Sequence, residues 1–285
     1  MYTLKQDEAL LNLYQLNVSK NGQFIVQRKI FSDIYPDFPD SIIFKVYIYL
    51  CKAVDWKYRK VKTAKSVIRR DLSLSRTKLE NALIWLESNF FIKRTNTNTK
   101  QMYQAKILTA PDYDPINKLF VSCEDISTHT SSFKKRNQGY IMIPSDAITN
   151  EMLENKASSN RKWTKSKITV LLMLYAHCWL EYFGGVNPEV VKLDMNGNVI
   201  GIKPSFYFTL VKNEKNIVKI IEELMKLQMV KTVPVYFYNG VYFGDQAMTT
   251  FRQGYENHVV LRPFHLSSKK VNKPLMDFKR AAMIL

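Results

Sequence analysis

Thr63-Ala-Lys-Ser-Val-Ile-Arg-Arg-Asp71, Leu72-Ser-Leu-Ser75 and Arg76-Thr-Lys-Leu-Glu-Asn-Ala-Leu-Ile-Trp-Leu-Glu-Ser-Asn-Phe90 follow one another without a break. The first piece predicts a short helix with Thr63 as its N-cap, and the second a turn. The third predicts a longer helix starting at Ser75. Its apolar residues Leu79, Ala82, Leu83, Leu86 and Phe90 recur at i, i+3, i+4, i+7 and i+11, which is one helical face. Phe91-Ile92 then enters a strand. Lys93 to Lys100 forms a polar tip, and Met102 to Leu108 returns with strand-forming residues.

Helix, turn, helix and polar hairpin in that order read as a winged helix-turn-helix. A helix seated on its leucine face presents its first turn outwards. That turn carries Ser75, Arg76, Thr77 and Lys78, with Asn81 one turn on. Arg and Asn make bidentate contacts to guanine and adenine edges in the major groove, while Ser, Thr and Lys reach phosphates. The hairpin carries Lys93, Arg94, Asn96, Asn98 and Lys100, which suit the DNA backbone or minor groove. With Thr63, Lys65, Arg69 and Arg70 from the first helix, these are the expected DNA-binding residues.

The whole composition points the same way. Of 285 residues 46% are hydrophobic, enough for real cores, and the formal charge is +17, which implies a polyanionic partner. No long apolar run suggests a membrane span, and the N-terminus has no signal-peptide core, so a cytoplasmic protein is expected. Three widely spaced cysteines give no disulfide framework; Cys51 and Cys178 fall in apolar segments expected to be helices and buried. Asp112-Tyr-Asp114 reads as plain loop, not as a metal site.

In chain order, Glu8 to Leu16 suggests a short helix and Gly22 to Val26 a strand. Ser41 is expected to cap a helix with Ile43, Val46, Tyr47, Leu50 and Val54 on its apolar face, followed by a basic connection holding Trp56 and Tyr58. Residues 1–110 then form the first and main DNA-binding module, and 111–137 a linker with a Ser/Thr-rich run and Lys134-Lys-Arg136.

Residues 138–266 repeat the plan. Gly139 to Ile143 matches Gly22 to Val26. Ser166 precedes a helix with Ile168, Leu171, Leu172, Tyr175 and Trp179. Placing Ile217 over Leu79 puts Val230 over Ile92 and Lys231 over Lys93 without a gap. Val233 to Tyr238, Asn239-Gly240 and Val241 to Phe243 predict a hairpin. Two features differ: a hairpin turning at Asn196-Gly197 is inserted, and Pro204 to Val211 leaves little room for a positioning helix. The helix start becomes Asn213-Glu214-Lys215-Asn216, with an acid where Arg76 stood. Weaker DNA contacts are expected from Lys212, Asn213, Lys215, Asn216, Lys219 and Lys231. Residues 41–107 hold 15 Lys/Arg against 4 Asp/Glu, whereas 139–266 hold 14 against 11, so nonspecific affinity concentrates in the first module. The second could read DNA weakly, bind a partner or form a homodimer through Tyr236, Phe237, Tyr238, Tyr242 and Phe243. Residues 267–285 are a basic tail, either disordered or a docking helix through Phe278, Ala281, Ala282 and Ile284.

Enzyme chemistry finds no foothold. There is no phosphate loop ending in Gly-Lys-Ser/Thr, and His129, His177, His258 and His265 form no metal pair; no metal or cofactor is expected.

The repeated plan resembles plasmid and phage replication initiators of the low-GC Gram-positive type. The lead-ins Gly22 to Ser41 and Gly139 to Ser166, and the hairpin Leu193-Asp-Met-Asn-Gly-Asn-Val-Ile200, carry that resemblance. Ser75-Arg-Thr77, Ala82-Leu83, Leu86 and Ile92 resemble the general bacterial helix-turn-helix. The resemblance implies recognition of origin repeats and recruitment of replication proteins. A transcription regulator, a winged-helix adaptor in segregation or the primosome, and an RNA binder are the alternatives. The expected fold class is α+β, mainly helical, with two tandem winged-helix domains.

Overall fold

Strand β1 (Asn17–Val18) opens the described chain, and β2 (Gln23–Gln27) follows, with Phe24 and Val26 buried between half-exposed neighbours, the alternation of a strand with one wet face. The computed structural model describes residues 17–18, 20–31, 35–55, 60–95, 102–123, 140–179, 185–187, 190–203, 213–237, 257–266 and 281–283. Contacts among them group 24–169 into one compact unit, and 17–23 with the residues from Val170 onwards into another.

In the first unit α1 (Ser41–Lys52) starts at Asp40, whose carboxylate accepts from the Ile42 N–H at 3.0 Å. It is buried along most of its length because both sides are covered. Phe44, Val46, Tyr47, Ile48 and Leu50 are essentially inaccessible. After it come β3 (Val54–Asp55), β4 (Lys60–Ala64), α2 (Lys65–Leu72), α3 (Arg76–Ser88), β5 (Ile92–Arg94) and β6 (Met102–Ile107). The strands form one antiparallel sheet in the order β3-β4-β6-β5. Thr63 pairs with Tyr103 and Lys93 with Lys106.

Two of this unit's left-handed residues end α2 and α3. Ser73, at φ 51°, closes α2 so that Leu74 turns inward and donates to the Arg69 carbonyl. Phe90, at φ 61°, ends α3, and the Phe91 N–H bonds back to the Leu86 carbonyl. Phe91 is thereby thrown inward. The rings of Tyr35, Phe38, Tyr47, Trp85 and Phe120 all lie within 6.3 Å of it, centroid to centroid. Each such pair adds about 0.5–1.5 kcal/mol beyond area burial.

Phe120 comes from a hairpin of β7 (Asp112–Asp114) and β8 (Leu119–Val121), and β2 pairs with β9 (Tyr140–Pro144). The two strands that resemble each other in sequence are therefore sheet partners. Two short helices, α4 (Asn150–Leu153) and α5 (Ala157–Lys162), follow. Lys45 of α1 is buried, and its ammonium donates to the Glu154 carbonyl at 2.9 Å and to Asn160 Oδ1 at 2.8 Å. Lys52, two turns on, donates to the Ile148 carbonyl. Burial lowers the pKa of Lys45 to about 8, against a smaller opposing pull from Glu154.

Helix α6 (Lys165–Ala176) starts at Thr164, whose hydroxyl accepts from the Lys167 N–H. In the second unit come the hairpins β10 (Cys178–Trp179) with β11 (Gly185–Val186), and β12 (Val191–Leu193) with β13 (Val199–Ile202). The second turns where expected. Asp194 accepts from the Asn196 and Asn198 N–H groups, and Gly197 adopts φ 84°. Then come α7 (Glu214–Lys226), β14 (Val230–Phe237), β15 (Asn257–Pro263), β16 (His265–Leu266) and β17 (Ala281–Met283), with β14 between β15 and β17. β1 pairs with β16 in parallel.

The chain is thus mixed α/β, with seven α-helices among the described residues and several small antiparallel sheets. Strands hold about as many of those residues as helices, so it is not mainly helical. No helix among the described residues is long and apolar enough to cross a membrane.

Several local expectations are corrected. Thr63 is not a cap: it belongs to β4, and α2 begins at Lys65 behind Ala64, without a side-chain cap. The caps of α1 and α6 are Asp40 and Thr164, each one or two residues before the expected serine. Phe90 is outside its helix and exposed, since the left-handed turn carries it off the buried face. Val54 and Trp179 lie in strands, as does Cys178, which is nevertheless buried. Asp112 to Val121 is a hairpin, not linker. Residues 140–169, read as the start of the second module, cluster with the first. The strand Val230–Phe237 pairs with Asn257–Pro263, so its return is more distant in sequence than Val241 to Phe243. Ala281–Met283 pairs with β14 as a strand, not a helix. The Glu8 to Leu16 helix, Trp56, Tyr58, Ser127 to Arg136, Pro204 to Val211, the Asn239-Gly240 turn and Ser267 to Arg280 lie outside the described residues. So do Tyr238, Tyr242, Phe243, and the side chains of Tyr236 and Phe237.

Two stability measurements test these contacts. A Cβ on Gly197 would sit 2.9 Å from Thr232 Cγ2, on a backbone that side chains rarely adopt. Gly197→Ala should therefore cost about 1–3 kcal/mol in urea unfolding. Asn160→Ala strips a charged donor of one acceptor and should cost about 1.5–3 kcal/mol at pH 7. The folded chain loses the Lys45 proton near pH 8, the unfolded chain near 10.5. Stability from this group therefore rises with pH across that window, whereas the Asn160→Ala penalty should shrink earlier, as pH rises towards and through about 8, where the native chain gives up the Lys45 proton.

Candidate nucleic-acid interface

The candidate surface is the front of α3. At about 100° per residue, Leu79, Ala82, Leu83 and Leu86 share one side and are buried. Thr77, Asn81, Ile84 and Ser88 fall on the opposite side, and all four are exposed. Arg76 and Lys78 flank them on either edge, also exposed. Ser75 is the cap: its hydroxyl accepts from the Lys78 N–H at 3.2 Å, leaving the other free N–H groups of the first turn outward. The positive end of the helix dipole and two cations thus share one exposed end.

The acids near this face are neutralised from within. Lys65 pairs with Glu80 at 2.7 Å, and Arg94 pairs with Glu87 at 2.7 Å and lies 4.0 Å from Glu80. Lys65 also sits over the Tyr103 ring. Lys65 and Arg94, expected as DNA contacts, are each paired with carboxylates of α3, their side chains 40% and 29% exposed. Arg70 pairs with neighbouring Asp71, which also accepts from the Tyr49 hydroxyl. Arg69 is exposed, with Nε 3.5 Å from the Leu74 carbonyl. Lys93 projects from β5 and is exposed. Among the described residues, no carboxylate pairs with Arg76, Lys78 or Lys93. Asn96, Asn98 and Lys100 lie outside the described residues. Thr63 is half-buried in the sheet.

In the second unit α7 has the same frame and a different face. Gln228 is left-handed at φ 56°, and the Met229 N–H bonds to the Leu224 carbonyl. These are the counterparts of Phe90, Phe91 and Leu86. Val230 pairs with Pro263 as Ile92 pairs with Ile107, and Phe264 donates to Met229 as Leu108 donates to Phe91. Asn213 caps α7 by accepting from the Lys215 N–H. Glu214 is engaged at its start, where Oε1 accepts from the Ile202 N–H at 3.3 Å and fastens the inserted hairpin. Lys215, Asn216 and Lys219 are exposed. Lys231 is half-buried, and its pKa is lowered first by burial and then by Arg262. Lys212 lies outside the described residues.

Residues missed from the sequence are Glu80 and Glu87, which set which cations stay available, and Ile84. The signal for the two acids was present in their i, i+7 spacing along one helix edge.

No family model matches the sequence, and neither a curated protein nor a solved structure matches it.

The ion pairs yield a contrast measurable without any ligand. Arg94→Ala should lower stability by about 0.5–1 kcal/mol, less at high salt, because its pairs are partly solvated. Lys93→Ala should leave the unfolding midpoint unchanged.

Proposed function

We propose that this chain is a sequence-specific double-stranded DNA-binding protein, acting as a plasmid or phage replication initiator at origin repeats. Residues 41–107 serve as a winged helix-turn-helix, with α2 positioning, α3 in the major groove and the β5–β6 hairpin as the wing. The observation that carries this reading is the uncompensated polar and basic front of α3. Its seat is apolar, its neighbouring acids are internally paired, and Arg76, Thr77, Lys78 and Asn81 are left facing outwards. Element order and the β4-β6-β5 pairing support it, as does the net charge of +17. The shared cap and register of α7 and β14 support a second winged helix, one with less free positive charge. The initiator role rests on the resemblance of the repeated plan.

Arg76 contacts a base edge, Lys78 and Lys93 contact phosphates, and Lys65 and Arg94 screen Glu80 and Glu87. Selection of duplexes from a random pool, followed by footprinting, tests this directly. Arg76→Ala should lose roughly 1–3 kcal/mol of discrimination at one base pair. Lys93→Ala should weaken all duplexes alike and lower the log–log salt slope by about one. Unchanged binding by both variants removes α3 and its wing from the interface. A plasmid that replicates only with this gene and the selected site supports initiation, whereas a promoter effect alone makes the chain a transcription regulator.

A further inference from the structure

Ile84 is 53% exposed in the middle of an otherwise polar helical face. A single exposed aliphatic residue is ordinary in itself. Its position is not, because it shares the outward side of α3 with Thr77, Asn81 and Ser88. The repeat supplies an internal comparison. The same frame in α7 places Glu222 at the position of Ile84, and it too is exposed. In the less basic repeat the frame carries a carboxylate at this position; on the basic module it carries a branched hydrocarbon.

Resting on the DNA-binding reading above, we propose that Ile84 is a specificity residue that packs against the 5-methyl group of a thymine in the major groove. Thymine is the one base that presents an apolar group there, and an aliphatic side chain can bury it where a carboxylate or amide cannot. The face is long enough. Thr77 to Ser88 rises about 16 Å at 1.5 Å per residue, against roughly 3.4 Å per base pair. Asn81 and Ile84 are about 4.5 Å apart along that axis, so the thymine lies within one or two base pairs of the base that Asn81 faces. Packing also explains why the neighbouring carboxylates must be tied back: an unpaired acid beside the methyl would stay hydrated and hold the groove away.

The test replaces each thymine of the selected duplex, one at a time, with deoxyuridine, which lacks only the methyl. Binding is measured at one salt concentration for the full chain and for Ile84→Ala and Asn81→Ala. Ile84 is exposed, so its replacement leaves the core intact, which a melting curve checks. One thymine should cost the native chain roughly fourfold in Kd when demethylated, the worth of one buried methyl-sized group. Ile84→Ala should show no penalty at that thymine and the native penalty elsewhere. The thymine should lie within two base pairs of the position whose preference changes in Asn81→Ala. Duplex binding with equal demethylation penalties in native and Ile84→Ala proteins overturns this inference and leaves the DNA-binding reading standing. Failure of the native chain to retain any duplex overturns both.

Discussion

The exposed front of α3 is decided by how that one helix is seated. A 13-residue helix is marginal in isolation; its stability comes from burial of Leu79, Ala82, Leu83 and Leu86 and from the ring cluster around Phe91. Phe90 must adopt a left-handed backbone to swing Phe91 into that cluster and start β5. A bulky residue gains nothing by this conformation; the packing of its neighbour compensates for the strain. With the underside and far end of α3 thus fixed, no rotational freedom is left for its front.

Electrostatics then sorts the cations by role. Residues 41–107 hold far more positive than negative charge, yet the few acids are not spread at random. Glu80 and Glu87 lie one above the other along one edge of α3, and Lys65 and Arg94 close over them from α2 and β5. Two cations are spent on two acids. Arg76, Lys78 and Lys93 remain without an internal partner among the described residues, which is what an anionic ligand needs. The same logic reads differently in α7. Its first acid, Glu214, is consumed by a backbone N–H of the inserted hairpin, and its strand lysine, Lys231, is half-buried beside Arg262.

The repeat is therefore one of frame and not of surface. Helix end, left-handed residue, back-bond and strand register agree between Leu86–Ile92 and Leu224–Val230. These are dictated by how a helix can turn directly into a strand. The exposed positions are under no such constraint: Arg76, Lys78 and Ile84 have become Glu214, Asn216 and Glu222. A shared way of folding has been kept while the chemistry offered to a partner has diverged.

What the sequence by itself determined is local and periodic: the leucine stripe of α3, its start at Ser75, the Asn-Gly turn at Gly197 and the strands that follow α3 and α7. Each depends on neighbours within about a dozen residues, so spacing alone reveals it. Tertiary structure alone decided the rest. That Thr63 lies in a sheet strand and not at a helix cap depends on its pairing with Tyr103. That Lys65 and Arg94 are internal partners depends on α2 and β5 flanking α3. That β2 lies beside β9, and that Lys45 is anchored by Asn160, depends on segments over a hundred residues apart meeting in one unit. Periodicity states which side of an element is buried, but only the assembled chain states against what, and a charge is available or spent according to that second fact.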